Sequence, residues 1–382
     1  MSPRLLIVAG ESSGEIYGSL LAPYLNKDFE LIGIGGKHMA QAGIKLVGEI
    51  THSLGVFEVL GQLKKLKRNM EIATRALKEV QGVILIDYPD FNIPLAKKAK
   101  ELGKRVLYYV SPQIWAWRKG RINTIKEVID YMAVVLPFEE AIYKKAGIPV
   151  KFVGHPMLEA MMKELNINKI EDFKLQDKKV LRDKFDINQK TVITLMPGSR
   201  PGEIKRKMPL MLKLMKYFDC ETTHFIIPKA PNIDFSETIL KQITSSGNVT
   251  IFNEQSFTAL AMSDVAVITS GTSTLQAALL KIPMAVIYRM NPLSYLIGRT
   301  IIKGVKHIAL PNVIADFMNI GDIRVKEFIQ KLDSRKIAKE INLLLYDNNY
   351  RENIINFLDN IRRHFITKEA SREVAEICRQ LF

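Results

Sequence analysis

Residues Val83 to Ile86 form an unbroken apolar run, and Asp87 follows at once. Four apolar residues with no polar alternation predict a strand buried on both faces, as in a parallel sheet covered by helices. A helix is expected over roughly Pro94–Leu102, closed by Gly103. A second apolar run, Arg105–Val110, predicts the next strand. Strand, helix, strand in this order is a βαβ unit, and parallel strands need such a crossover.

The same punctuation runs along the chain. Further strands are expected at 5–9, 30–34, 131–136 and 151–153, then at 191–196, 224–227, 249–252, 265–269 and 284–288. Helical stretches lie between them, at 15–25, 63–80 and 138–145. A length of 382 residues favours two domains over one. The polar, charge-rich stretch 164–189 reads as the linker. The expected organisation is α/β: two Rossmann-like, doubly wound parallel-sheet domains facing a cleft. They would cover 1–163 and 190–365, with a C-terminal helix in 366–382 packing back on the first.

Composition narrows the function classes. A hydrophobic fraction of 47% and a charged fraction of 25% describe an ordinary globular chain. Two cysteines give no disulfide framework, and six scattered histidines show no metal-ligand spacing. No signal peptide or run of membrane-spanning length is visible. A net charge of +15 points to nucleic acid, anionic lipid or a phosphorylated substrate. No RNP, KH or helix-turn-helix signature accompanies it, which disfavours nucleic acid.

Candidate chemistry gathers where predicted strands end, the place at which open α/β sheets bind ligands. Asp87 and Asp90 compete for the role of general base, and Asp90 or Asn92 can instead cap the following helix. Trp115 and Trp117 share a face if the segment is extended, and at least one is expected to fill core. Arg118 and Arg121 can hold a phosphate or be solvated charges. The segment AGESSGE, residues 9–15, follows the first strand but is not GxGxxG, and Glu11 and Glu15 would repel a pyrophosphate. It reads as a turn in which Ser12 and Ser13 can cap a helix. Ser270-Gly271-Thr272-Ser273 passes from a strand into a helix and suits a diphosphate, as does Pro197-Gly198-Ser199-Arg200 with its cation. Glu203 reads as a capping or orienting residue. Val56–Arg68 reads as a basic amphipathic element, through Phe57, Leu60, Leu63 and Leu66 against Lys64, Lys65, Lys67 and Arg68. It is either a membrane-surface contact or an ordinary solvated helix.

Several of these segments stand together in a known pattern. IDYPDFN, YVSPQIWAWRKGR, AGESSGE, LPFE (136–139), FVGHP (152–156), PGSRPGEI (197–204), SGTSTLQAAL (270–279) and LPNVIA (310–315) occur in one order. In them the chain resembles the lipid-A-disaccharide synthase family over nearly its whole length. The resemblance implies an inverting, GT-B-type glycosyltransferase. Its donor would be UDP-2,3-diacylglucosamine and its acceptor 2,3-diacylglucosamine 1-phosphate (lipid X). It favours Asp87 as the base and leaves Asp90 an orienting role. It assigns substrate binding to Glu11, Ser13, Asn92, Trp117 and Arg118, with the loop 9–15 on the acceptor side. The nucleotide side falls to Arg200, Glu203, Ser270, Gly271, Thr272, Gln276 and Asn312, the last lining the cleft. No metal or cofactor is implied. The expected location is the cytoplasm, at the inner face of the membrane, with homodimerisation possible.

The chain departs from the family pattern at three places. Glu15 stands where the family usually has Asp, and Gln276 where it has a Glu that in related folds bonds the nucleotide ribose. Asp316-Phe317-Met318 replaces the usual Gly-Arg-Glu. The rival readings are another UDP-sugar enzyme of the same shape, such as a UDP-N-acetylglucosamine 2-epimerase or an undecaprenyl-linked transferase, and a non-catalytic basic membrane-binding module.

Overall fold

The structure is a computed structural model that describes residues 3–49, 59–116, 120–169, 175–230, 233–244, 247–291 and 306–382. It divides into two compact units, residues 1–160 with 365–382, and residues 161–364.

The first unit carries a parallel sheet of β1 (Arg4–Ala9), β2 (Glu30–Gly35), β3 (Lys45–Glu49), β4 (Gly82–Ile86), β5 (Arg105–Tyr109), β6 (Tyr131–Val134) and β7 (Val150–Phe152). Their spatial order is β3-β2-β1-β4-β5-β6-β7. The reversal of direction lies between β1 and β4, where Ala9 stands opposite Ile86. Doubly wound sheets bind ligands outside the strand ends at this switch point. It is here that Gly10–Glu11 and Asp87–Tyr88 leave the sheet.

β4 is apolar throughout because it is buried on both faces: Val83, Ile84, Leu85 and Ile86 have no exposed surface. Each such side chain contributes about 1.5–3 kcal/mol relative to exposure, an upper estimate. The helix after β4 runs Pro89–Glu101, starting earlier than its apolar pattern suggests. Pro89 explains this, since its fixed φ and missing N–H suit the first helical position. Neither Asp90 nor Asn92 is the cap; that position is Tyr88.

The second unit repeats the plan with β8 (Thr191–Met196), β9 (Thr223–Lys229), β10 (Val249–Asn253), β11 (Val265–Thr269), β12 (Met284–Tyr288) and β13 (Lys326–Ile329). Their order is β10-β9-β8-β11-β12-β13, all parallel. Its switch point lies between β8 and β11, so the turns after Met196 and Thr269 emerge side by side.

β3 and β13 have no counterpart among the expected strands. Both are short sheet edges, only partly buried and carrying lysine and glutamate, so neither shows the apolar run of a central strand.

The described residues of 161–189 belong to the second unit, and with them all of the described part of the stretch expected as a linker. The division falls inside the helix Met157–Leu165. In the helix Leu175–Lys184, Lys178 and Arg182 reach Asp264 at 3.2 and 2.8 Å. Asp264 also accepts from the Val192 N–H at the start of β8, at 2.9 Å. A charge-rich composition here marks an ion-paired helix, not an unstructured connection. The C-terminal helix Ala370–Leu381 packs on the helix Ser12–Leu25 and on β5, all within the first unit. Arg379 pairs with Asp28 at 2.8 Å, and the Ser371 N–H donates to Glu159 at 2.8 Å. Among the described residues, no helix is long and apolar enough to cross a membrane.

Candidate active site

Asp87 and Tyr88 are consecutive left-handed residues, with φ of 48° and 49°. Such backbone costs of order 1–3 kcal/mol per residue and persists only where its surroundings fix it. Three hydrogen bonds do so. The Asp87 N–H donates to the Tyr109 carbonyl at 2.9 Å. The Asp87 carbonyl accepts from the Tyr108 hydroxyl at 2.6 Å and from the Asn92 amide at 2.7 Å. Neighbouring Gly10 is required for a different reason. A Cβ there would meet the Tyr88 ring at 2.0 Å, so only glycine lets the ring lie over the β1 turn. Tyr88 in turn stacks on Phe91, with centroids 5.9 Å apart.

The Asp87 carboxyl is pushed up to about 6, first by burial, then by the nearby Glu11 carboxylate, against a hydrogen bond from the Tyr88 N–H. A carboxylate raised towards neutrality is a better proton acceptor and is still ionised at pH 7. Asp90 differs: it is exposed and ion-paired with Arg121. Its charge orients the start of the helix Arg121–Val128.

Glu11 and Ser13 are exposed at the head of the helix Ser12–Leu25. No side chain caps that helix, although Ser12 and Ser13 were candidates on sequence. Glu15, where the family has Asp, is buried and accepts from the His38 N–H at 2.8 Å and its ring Nδ1 at 3.1 Å. It braces the turn after β2. Asn92 is fully buried, and its amide donates to the Ile86 and Asp87 carbonyls. Trp117 and Arg118 lie outside the described residues.

In the second unit, Gly198 has φ of 116°, and a Cβ there would fall 2.3 Å from the Glu203 carboxylate. Glu203 accepts from the Ser199 N–H at 3.2 Å. This fixes the turn and leaves Arg200 exposed at the head of the helix Pro201–Met215. Lys207, one helical turn after Glu203, was not singled out on sequence. It is 1% exposed, 3.9 Å from Glu203 and over the Tyr288 ring. Burial pulls its pKa down. Its i, i+4 spacing from Glu203 was the available signal.

Gly271 and Thr272 are exposed, and a Cβ on Gly271 would meet only open space. The Ser270 hydroxyl already donates to the Ile308 carbonyl at 2.7 Å. It braces the turn, so only the following residues present free surface. Gln276 is half-buried, with an Oε1 that has no partner.

Asn312 is fully buried and not on an open surface. It donates to the Val325 carbonyl at 2.9 Å and to Glu327 at 2.8 Å, and accepts from the Val325 N–H. Its role is to pin the helix Leu310–Met318 to the strand β13. In the divergent loop, Asp316 accepts from His307 at 2.6 Å and from Arg324 at 2.9 Å. The replaced motif has become an ion-paired brace. Among the described residues no group of three or more metal-ligating side chains occurs.

Comparison with known proteins gives the arrangement its context. The family model for lipid-A-disaccharide synthetase matches residues 5–379. The chain is 38% identical over 380 residues to the lipid-A-disaccharide synthase of Syntrophus aciditrophicus, covering 94% of this chain and 93% of that protein. It is 35% identical over 387 residues to the enzyme of that name from Coxiella burnetii strain RSA 331, covering 99% and 98%. Among solved structures it is similar to a UDP-GlcNAc 2-epimerase from Neisseria meningitidis, with a TM-score of 0.58 and 15% identity over 99% of this chain and all of that one. A glycosyltransferase from Rickettsia africae gives 0.52 and 14%, over 100% and 98%. Those likenesses show the fold alone, two parallel-sheet α/β domains of the GT-B type. The whole-chain family match and the sequence relatives show more: the chain is a glycosyltransferase and belongs to the lipid-A-disaccharide synthase family.

Proposed function

We propose that this enzyme transfers 2,3-diacylglucosamine from UDP to the 6-hydroxyl of 2,3-diacylglucosamine 1-phosphate, giving the β-1,6-linked disaccharide 1-phosphate and UDP. The observation that carries the reading is Asp87. It is a carboxylate at the switch point of the first sheet, raised to about 6 and held on a left-handed turn by Tyr108 and Asn92. Such a group takes the acceptor hydroxyl proton as the oxygen attacks the anomeric carbon, and the C–O bond to UDP breaks with inversion. Glu11 and Ser13 are assigned to the acceptor side. Arg200 and the free N–H groups of the Gly271–Thr272 turn are assigned to the diphosphate, whose growing charge they stabilise. Gln276 accepts one hydrogen bond from a ribose hydroxyl through its unpartnered Oε1.

The acyl chains keep both substrates at a lipid surface. We assign the exposed Lys64, Lys67 and Arg68, with Lys65, to contact with that surface at the inner face of the membrane. Incubation of the pure protein with radiolabelled lipid X and UDP-2,3-diacylglucosamine is expected to give labelled disaccharide and UDP in equal amounts, with or without EDTA. Release of UDP without disaccharide, or loss of activity in EDTA restored by magnesium, would overturn the reading.

A further inference from the structure

Glu139 is a buried carboxylate of the first unit that the reaction does not use. It is 1% exposed, at the head of the helix Glu139–Lys145. Its Oε1 accepts from the indole N–H of Trp115 at 3.0 Å, and its Oε2 accepts from the Leu136 N–H at 3.2 Å. Trp115 is itself 8% exposed and meets Phe138 edge to face, at 5.3 Å and 82°. The segment Ser111–Ala116 therefore ends in a buried clasp. It begins at Val110, whose φ of 64° is an outlier for a β-branched residue. Val110 follows Tyr109, which pairs with Ile86 and whose carbonyl accepts from the Asp87 N–H at 2.9 Å.

We propose that Glu139 is a positioning residue for the acceptor site, clasping Trp115 and Leu136 so that the segment leaving β5 is held beside Asp87. The inference rests on the acceptor reading given above. A lone hydrophobic contact would bury Trp115 equally well. Burying a carboxylate is costly unless hydrogen bonds satisfy it, as those from Trp115 and Leu136 do here. One side chain here fixes two N–H groups 21 residues apart, and the strained backbone before them needs such support.

Replacement by Gln leaves one oxygen and turns an N–H donor towards a second N–H. Glu139→Gln and Trp115→Phe are each expected to raise the KM for lipid X about tenfold, with the KM for the UDP-sugar within twofold. The double variant should be no worse than either single one, because both break one clasp. Amides of residues 111–116 should exchange faster in each variant while those of β1 and β4 do not change. A purely structural role would lower the melting temperature and the active fraction and leave both KM values alone, which would overturn the proposal. So would additive effects in folded variants. Trp115→Phe keeps the question open to test if Glu139→Gln does not fold. If the wild-type protein made no disaccharide, the substrate reading would fall, and the exchange measurement alone would decide the clasp.

Discussion

At the scale of single residues, the proposed reaction rests on the raised carboxyl of Asp87. Asp87→Asn keeps the shape and the backbone bonds but removes the proton acceptor. Turnover should fall about 10²–10⁴-fold with UDP binding unchanged, read by initial rates and calorimetry. The base must be ionised to work, so the wild-type rate should rise as pH passes through about 6. Glu11→Gln removes the like charge that helps raise Asp87, and should shift this acid limb to lower pH. A limb that does not move would assign the shift to burial alone. For stability the sign is opposite to that of an ordinary salt-bridged carboxylate. Asp87 and Glu139 have folded values of about 6 and about 7, above their ordinary 3.8 and 4.5. Burial is the main cause in both. Their contribution is therefore complete below the ordinary values and is lost as pH rises through the folded ones. Gly10→Ala tests the packing beside them. A Cβ 2.0 Å from the Tyr88 ring must push the ring and its left-handed turn aside. Activity is expected to fall more than tenfold, with a stability loss of about 1–3 kcal/mol in denaturant melts.

At the scale of elements, the helix Val59–Ala76 turns apolar side chains to the core and cations to solvent. Leu66 and Met70 lean on the core of the first unit, and Ala73 is fully buried in it. Lys64, Lys67 and Arg68 are exposed, and Lys65 is loosely paired with Glu49 at 3.7 Å. Within the described side chains the apolar stripe is already covered by protein, so the membrane contact proposed for this face would be electrostatic. Phe57 lies outside the described residues, as do the side chains of Leu60 and Leu63. Replacing the four cations with Gln should move the protein from anionic vesicles to the supernatant in cosedimentation. Each contributes about 1 kcal/mol near such a surface, and less as salt rises. Activity on vesicles should fall more than activity in detergent micelles. Unchanged cosedimentation would assign the helix to an ordinary solvated face.

At the scale of the molecule, the chain crosses between units twice. The C-terminal residues 365–382 return to the first unit, where Phe365 is fully buried and edges onto Phe152 at 6.0 Å. A fragment ending at residue 160 thus lacks part of its own core, whereas 161–364 contains every strand of its sheet. The second fragment is expected to melt cooperatively on its own. The first should do so only when 365–382 is supplied, as followed by circular dichroism. Cooperative melting of residues 1–160 alone, near the wild-type temperature, would show that the returning helix adds little.

Sequence alone determined the two parallel sheets, because strands buried on both faces must be apolar throughout and those runs, from Val83–Ile86 to Met284–Tyr288, are visible without partners. It also placed Asp87, Arg200 and Gly271 at strand ends, since the boundary between an apolar run and a polar turn is local. The edge strands β3 and β13 escaped because a half-exposed strand has no such run. Asn92 and Asn312 sit inside site motifs, and only packing reveals that both are buried, with side-chain amides donating to backbone carbonyls. The ordinary-looking charges of Leu175–Lys184 became a tied helix only once β8 and Asp264 had been brought beside them. The Trp115–Glu139 clasp joins residues 24 apart, and the raised value of Asp87 depends on how deeply its neighbours enclose it. Burial and long-range pairing are properties of the folded whole, so tertiary structure alone decided them.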